Sequence, residues 1–194
     1  MHPRLSCLLA ATLSTAALLA APAAQANIVA NGGFETGDFT GWTVSGAGAF
    51  TGVDGTTPQA GSYAAYVGDP ATLRQTLNTV AGQHYTIDFW LQAEADVTGA
   101  AAPNSFEFDW AGAAVMSLTD AAATNGYVHY SFDLVANSAL TDLAFQFSNS
   151  PAFWDLDSVS ANRVPEPGSL ALVALAAGLA TLQARRRRPA LQST

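Results

Sequence analysis

Apolar and polar residues alternate one by one along several short stretches of the chain. In the clearest stretch, 84–92, Tyr85, Ile87, Phe89 and Leu91 fall on one face and more polar residues on the other. Successive side chains of a strand point to opposite faces of a sheet, so this pattern predicts a strand with one buried face. The same alternation predicts strands at 105–110, 127–134 and 142–148.

Shorter runs rich in aromatic and β-branched residues predict further strands. They lie at 28–29, 41–44, 62–67, 71–80, 113–118 and 153–159. No stretch between Asn27 and Arg163 shows a helical pattern, and one-sided alternation favours antiparallel sheets over a parallel α/β fold. We therefore expect an all-β, antiparallel jelly-roll β-sandwich over residues 27–163.

The N-terminus has the pattern of a secretory signal peptide. Arg4 precedes the apolar, helix-prone run Leu5–Ala21, and Ala24-Gln25-Ala26 has the small-x-small form that signal peptidase accepts. We expect a signal helix in residues 1–26 and cleavage after Ala26. The protein would then be exported across the inner membrane.

The composition changes abruptly after Asn162. Two prolines in the run 164–167 (Val-Pro-Glu-Pro) predict a short rigid linker. Residues 168–184 are mostly apolar and would span roughly 26 Å as a helix at ~1.5 Å per residue, slightly less than the ~30 Å hydrocarbon core of a bilayer. The arginines 185–188 would stay on the cytoplasmic side. A plain membrane anchor is the simplest interpretation, with 190–194 as a disordered tail.

A Pro-Glu-Pro motif, an apolar helix and an arginine cluster, in that order, resemble the PEP-CTERM sorting signal of Gram-negative bacteria over residues 164–189. The resemblance implies recognition by an exosortase, a membrane-embedded cysteine transpeptidase, with cleavage near the Pro-Glu-Pro motif. The helix would hold the protein in the inner membrane only transiently. The protein would end at the cell surface or outside the cell, in a bacterium that makes extracellular polysaccharide. The residues expected to direct sorting and processing are Ala26, Pro165, Glu166, Pro167, Arg185, Arg186, Arg187 and Arg188.

The charge of the predicted domain limits its partners. The whole chain has a formal charge of −8, but residues 27–164 carry fourteen Asp and Glu against only Arg74 and Arg163. So acidic a surface repels nucleic acid, which we exclude as a partner. The single cysteine, Cys7, lies in the signal peptide, so disulfides and thiol catalysis are excluded for the mature domain.

Motifs spread over the domain resemble galactose-binding-like jelly rolls, including several carbohydrate-binding modules. The opening is NGGFE at 31–35 with GDFTGW at 37–42, in which Gly32 and Gly33 would permit a tight turn. A central stretch follows in LRQTL at 73–77 and GQHYTI at 82–87. LDSVS at 156–160 resembles the closing strand, with Ser158 where a second aspartate is usual.

The same resemblance implies a structural Ca²⁺, because in these families an acid of the first motif and an acid of the last strand meet. Carried over to this chain, the ligands are Glu35 and Asp157. Hard carboxylate oxygens and an acidic domain suit that ion. The alternative is that both carboxylates are solvated or accept hydrogen bonds from turn amides.

Sugar binding requires exposed rings that stack on pyranose faces and polar groups that bind hydroxyls. Trp90 is flanked by Asp88 and Gln92 on the predicted outward face of one strand, and Tyr127 begins another. These four residues are the candidate carbohydrate-binding set. The alternative is that loops cover both rings.

Catalytic groups are scarce. Glu107 and Asp109 form a carboxylate pair on one strand face, roughly 7 Å apart as i and i+2 residues, a separation that glycosidases use; alternating acids on a strand are more often its solvated side. We expect a non-enzymatic cell-surface or extracellular-matrix protein, associated with polysaccharide and stabilised by calcium. The alternatives are a structural or adhesive protein with a protein partner, and a glycan-active hydrolase.

Overall fold

The computed structural model describes residues 26–46, 48–95 and 103–165, and these residues contain ten strands. These residues belong to one compact unit, Ala24–Pro165. The strands are β1 Thr43–Ser45, β2 Thr51–Asp54, β3 Ala64–Val67, β4 Ala71–Asn78, β5 His84–Ala93, β6 Ser105–Trp110, β7 Ala113–Thr119, β8 Val128–Val135, β9 Leu140–Ser148 and β10 Trp154–Arg163.

The strands form two five-stranded sheets. Sheet A has the order β1-β4-β9-β6-β7, and sheet B has the order β2-β3-β10-β5-β8. Every pairing is antiparallel. The all-β, antiparallel sandwich expected from the sequence is therefore confirmed. The expected signal helix and sorting helix lie outside the described residues, and no helix within those residues is long and apolar enough to span a membrane.

Aromatic side chains fill the space between the sheets, as the alternation predicts. Phe89 of β5 is fully buried and contacts the rings of Phe108 and Phe145 of sheet A at centroid distances of 5.2 and 5.1 Å. It also stacks on Tyr130 and Phe132 of the neighbouring strand β8. Phe89 thus contacts aromatic residues of both sheets.

The first residues of the sandwich differ from the prediction. Residues 28–29 were expected to be a strand, but they only lie along β10, where the amide of Ile28 donates to the carbonyl of Ala161 at 3.0 Å. A bulge in β10 between Asp157 and Ser160 interrupts the regular ladder beside them. Strand β2 was not predicted, because its sequence TGVD lacks an apolar alternation.

Replacing Phe89 by alanine should lower the free energy of unfolding by about 3–5 kcal/mol, because a buried ring that contacts both sheets leaves a cavity. The matched control is Val128→Ala on edge strand β8, where the side chain is 38% exposed, and it should cost less than about 1 kcal/mol. Urea unfolding of the purified variants measures both values. Similar losses in the two variants would contradict this view of the core.

Candidate functional site

Strand β10 lies at the centre of sheet B and presents two acidic residues on the outer face of that sheet. Asp155 and Asp157 alternate with the core residues Trp154 and Leu156. Strand register places Asp155 between Tyr66 and Gln92, and places Asp157 next to Trp90. Both carboxylates are nevertheless buried, with 1% and 0% exposure, so other parts of the chain cover this face.

The segment 59–63 covers Asp157 and is held there by backbone amides. Asp157 Oδ2 accepts hydrogen bonds from the amides of Gln59 and Ala60 at 2.9 and 3.0 Å, and Oδ1 accepts from the amide of Ser158. Glu35 accepts from the amides of Ser62, at 3.0 and 3.1 Å, and Tyr63, at 3.2 Å. The two predicted calcium ligands therefore fasten the same segment.

Glu35 and Asp157 both lie close to Gly33. A Cβ atom at Gly33 would lie 3.7 Å from both Asp157 Oδ1 and Glu35 Cγ. A carboxylate offers about four lone-pair positions. The carboxylates of Glu35 and Asp157 each already accept three amide contacts. This leaves about one position on each carboxylate, at Glu35 Oε2 and at Asp157 Oδ1, for a cation. This donor set is compatible with Ca²⁺, and the amide contacts equally match the alternative interpretation.

A second acidic group lines a cavity of about 370 Å³ on the same face of sheet B. Its carboxylates are those of Asp54 in β2, Glu94 directly after β5, and Asp155 in β10. Its aromatic wall is formed by Phe50 directly before β2, Tyr66 in β3, and Phe153 directly before β10. We call this cavity the acidic pocket.

The aromatic wall of the acidic pocket is ordered by ring contacts. Phe153 meets Tyr66 edge to face at 5.7 Å and lies 6.4 Å from Phe50. A Cβ atom at Gly52 would come within 2.5 Å of the Tyr66 hydroxyl, so the glycine in β2 makes room for this ring. Phe50 is 57% exposed. An aromatic side chain is therefore available to a ligand at the rim.

Asp155 is the buried acid of the pocket. Its Oδ2 atom has no hydrogen-bond partner among the residues that the structure describes. Burial, together with the charge of Glu94, raises the pKa of Asp155 to about 8; contact with the Glu94 carboxyl and the charge of Asp54 add to the rise, and the Thr57 hydroxyl opposes it. Asp155 therefore keeps its proton to a higher pH than an exposed aspartate does.

Tyr127, one of the predicted sugar-binding residues, bridges the acidic pocket and the covering segment. Its hydroxyl donates to the carbonyl of Thr57 at 2.7 Å. Burial, with the charges of Asp155 and Asp157, raises the pKa of Tyr127. The ring therefore reaches the same region of the outer face as Asp155.

The other predicted sugar-binding residues lie on β5 and face outward, as the alternation requires. Trp90, Asp88 and Gln92 are all half-buried. The Trp90 ring stacks on the His129 ring at 4.8 Å, and His129 Nε2 lies 3.1 Å from Asp88 Oδ1. Gln92 pairs directly with Asp155 across the strands. The structure thus places Gln92 and Tyr127 near Asp155, outside the lining of the acidic pocket, while Trp90 and Asp88 belong to a polar cluster with His129.

Glu107 and Asp109 lie on the outer face of sheet A, in a separate open groove. One side-chain amide joins them: Gln146 Nε2 donates to Glu107 Oε1 at 2.9 Å and to Asp109 Oδ2 at 2.8 Å. Ser117 donates to the remaining Glu107 oxygen at 3.0 Å. This network is that of a solvated strand face.

Sequence reasoning missed most of the acidic pocket. Its members come from four separate segments, at 49–57, 66, 94 and 153–155, and no local spacing connects them. The signal that could have found Asp155 is the run WDLD at 154–157, in which two acids share a parity and alternate with large apolar residues. In a buried central strand, such acids need partners or a function.

Solved structures show which class of fold this sandwich belongs to. TmCBM61, solved in complex with β-1,4-galactotriose, is 18% identical with a TM-score of 0.60, over 72% of this chain and 99% of that one. The CBM22-1 xylan-binding domain of Xyn10C from Paenibacillus barcinonensis is 17% identical, with a TM-score of 0.53 over 74% of this chain and 98% of that one. The fold is that of a carbohydrate-binding-module-like β-sandwich.

The same fold also supports other functions. The Stig cyclase Fisc from Fischerella sp. TAU is 16% identical, with a TM-score of 0.53 over 74% of this chain and 100% of that one. Identities this low show the fold alone, so function has to be argued from the site.

The C-terminus identifies the sorting class of the chain. Residues 163–188 match the PEP-CTERM protein-sorting motif, so the chain carries the sorting signal that its sequence resembles. The motif implies export, processing by an exosortase and sorting to the cell surface. Of the residues expected to direct this, Ala26 and Pro165 are described, and Glu166, Pro167 and Arg185–Arg188 lie outside the described residues. No curated protein matches the chain.

The raised pKa of Asp155 predicts a characteristic pH dependence of stability. Between the ordinary pKa of 3.8 and the native value of about 8, the native state holds a proton that the unfolded state has released. The contribution of Asp155 to the free energy of unfolding therefore falls as the pH rises through this window. Asp155→Asn should remove that slope and be more stable than the parent above about pH 8, by a few kcal/mol.

Urea unfolding at about pH 5, 7 and 9 tests this difference in slope. Glu107→Gln is the control, because it removes one carboxylate from the other sheet and should leave the slope in place. Equal slopes in the parent and Asp155→Asn would contradict the assignment of a proton to Asp155.

Proposed function

We propose that this protein is an exported, exosortase-sorted protein of the cell surface or extracellular matrix that binds polysaccharide without hydrolysing it. The observation that carries the proposal is the acidic pocket, where three aromatic rings and three carboxylates surround one cavity on a carbohydrate-binding-module-like sandwich. Rings bind sugar faces, and carboxylates accept hydrogen bonds from hydroxyl groups.

The surroundings of the pocket favour an oligosaccharide over a single sugar. A smaller cavity of about 150 Å³ shares Phe50 and Phe153 with the acidic pocket. Gln92 and Tyr127 lie beside Asp155 on the same face. A sugar chain could therefore contact several groups in succession, with Phe50 between two adjoining depressions.

Glu94 and Asp155 raise the question of hydrolysis, because glycosidases also use two carboxyl groups, one with a raised pKa. In those enzymes the two groups stand at least about 5 Å apart, on either side of the bond that breaks. Here the two carboxyl groups are in hydrogen-bonding contact. They are too close together to hold a glycosidic bond between them, which supports binding rather than catalysis.

Alanine at Phe50 should weaken polysaccharide binding about tenfold, the effect of losing about 1.4 kcal/mol of ring contact. Leu140→Ala is the matched control, because Leu140 is a large apolar residue of 60% exposure that lies on sheet A. Affinity electrophoresis against soluble galactans, xylans and glucans measures the change, and a reducing-end assay on the same mixtures measures hydrolysis. Absence of binding to every polysaccharide tested would refute the proposal and favour a protein partner; released reducing ends would favour the hydrolase.

We also propose that Glu35 and Asp157 bind a structural Ca²⁺, through the one lone-pair position that each leaves free. The ion would stabilise the cover over sheet B by neutralising two neighbouring carboxylates. Calcium should then raise the melting temperature of the parent, and chelator should lower it. Glu35→Gln, which keeps an amide acceptor but loses the charge, should melt at the same temperature in both solutions. A parent protein that is insensitive to calcium would mean that these carboxylates serve only the turn amides.

A further inference from the structure

We propose that the acidic pocket selects positively charged sugar units, namely amino sugars with a free ammonium group, over neutral or N-acetylated ones. This inference rests on the proposed polysaccharide binding and specifies its ligand class. Its basis is an excess of negative charge at the pocket that no group of the described chain neutralises.

None of the residues that line the pocket is basic, whereas three are acidic. The arginines of the described chain are engaged elsewhere: Arg74 Nη1 lies 3.7 Å from Asp142 Oδ2, and Arg163 Nη2 donates to Gln83 Oε1 at 2.6 Å. The chain contains no lysine. No basic side chain of the pocket lining therefore balances Asp54 and Glu94, and a cationic ligand would.

Asp155 makes the pocket more than a cluster of surface acids. Its side chain is 99% buried, since 1% of its surface is exposed; it lines the cavity, and Oδ2 lacks a hydrogen-bond partner among the described residues. A buried acceptor without a donor is costly. A sugar hydroxyl would satisfy the hydrogen bond alone, whereas an ammonium would satisfy both the hydrogen bond and the charge.

The aromatic wall fits the same ligand. Phe50, Tyr66 and Phe153 present rings to the cavity, and a cation near the face of a ring is attracted by its electrons. The apolar face of a pyranose stacks on such rings as well. An amino sugar offers both features in one unit.

A bare metal ion fits the pocket less well. Within the described ranges, no three Asp, Glu, His or Cys side chains come close enough together to hold one ion. The cavity of about 370 Å³ has the size of a small organic ligand site. This size favours a cation carried on a larger molecule.

The test uses two tetrasaccharides that differ only in the 2-amino substituent, a charged ammonium in one and a neutral acetamide in the other: the tetramer of β-1,4-linked glucosamine and its fully N-acetylated counterpart. Isothermal titration calorimetry with the purified protein, at a slightly acidic pH that keeps the amines charged, should show at least about tenfold tighter binding of the amino form. Asp155→Asn should abolish this preference. Asparagine is isosteric with the protonated acid, so this variant should fold, and Glu94→Gln provides a second variant at the rim.

Glu107→Gln is the matched control, because it removes one negative charge from the opposite sheet; the preference should persist in it. Equal affinity for the two tetramers would overturn this inference and leave polysaccharide binding standing. No binding of either tetramer, or of any neutral polysaccharide, would overturn the proposed function as well. If Glu107→Gln weakens the preference as much as Asp155→Asn does, the preference reflects general attraction to an acidic protein. If tetralysine binds as tightly as the amino tetramer, the sugar is not recognised. Either result would overturn the inference.

Discussion

Hydrogen bonds from backbone amides to two carboxylates hold a covering segment on the outer face of sheet B. The site on that face depends on these hydrogen bonds. Glu35 and Asp157 come from opposite ends of the domain, yet both fasten the segment 59–63. Glycine is required at position 61, where φ is +68° and a Cβ atom would lie 2.2 Å from Glu35 Oε1. Next to this segment, the Tyr127 hydroxyl donates to the carbonyl of Thr57, and Thr57 lines the acidic pocket together with Asp155.

The motifs that resemble carbohydrate-binding modules build this cover and make no contact with the pocket. Gln75 accepts a hydrogen bond from the amide of Ala30 and donates to the carbonyls of Ala30 and Gly41, so it ties the opening motif to β4. Gly32 and Gly33 lie at the centre of the expected tight turn, in which the amide of Phe34 donates to the carbonyl of Asn31 at 3.1 Å. Gly32 also makes room, because a Cβ atom there would lie 2.0 Å from the Val159 carbonyl oxygen. The left-handed backbone of this turn occurs at Asn31 and Phe34. These motifs therefore explain the fold, but they do not indicate which ligand binds.

Much of the fold could be predicted from the sequence because its strands have one apolar and one polar face. Phe106, Phe108 and Trp110, for example, are all buried as their spacing requires. The alternation gives a wrong prediction where the outer face of a sheet is covered, because it predicts that Asp155 and Asp157 are solvated and both are buried. The pocket could not be predicted for a related reason. Phe50, Tyr66, Glu94 and Asp155 come together through strand order and loop packing, which single-sequence patterns do not specify.

Asp155 and Asp157 show how one residue type takes two roles on one strand. They share a face and a parity, both are buried, and burial raises the pKa of each. Asp157 receives three amide hydrogen bonds that oppose the rise, so its charge is satisfied by the fold itself. Asp155 is placed against another carboxyl group and keeps an oxygen without a partner. Folding gains nothing from that arrangement, because an asparagine would fill the same space at a lower electrostatic cost. A carboxylate that costs stability and faces a cavity is better explained by what enters the cavity than by what holds the sandwich together.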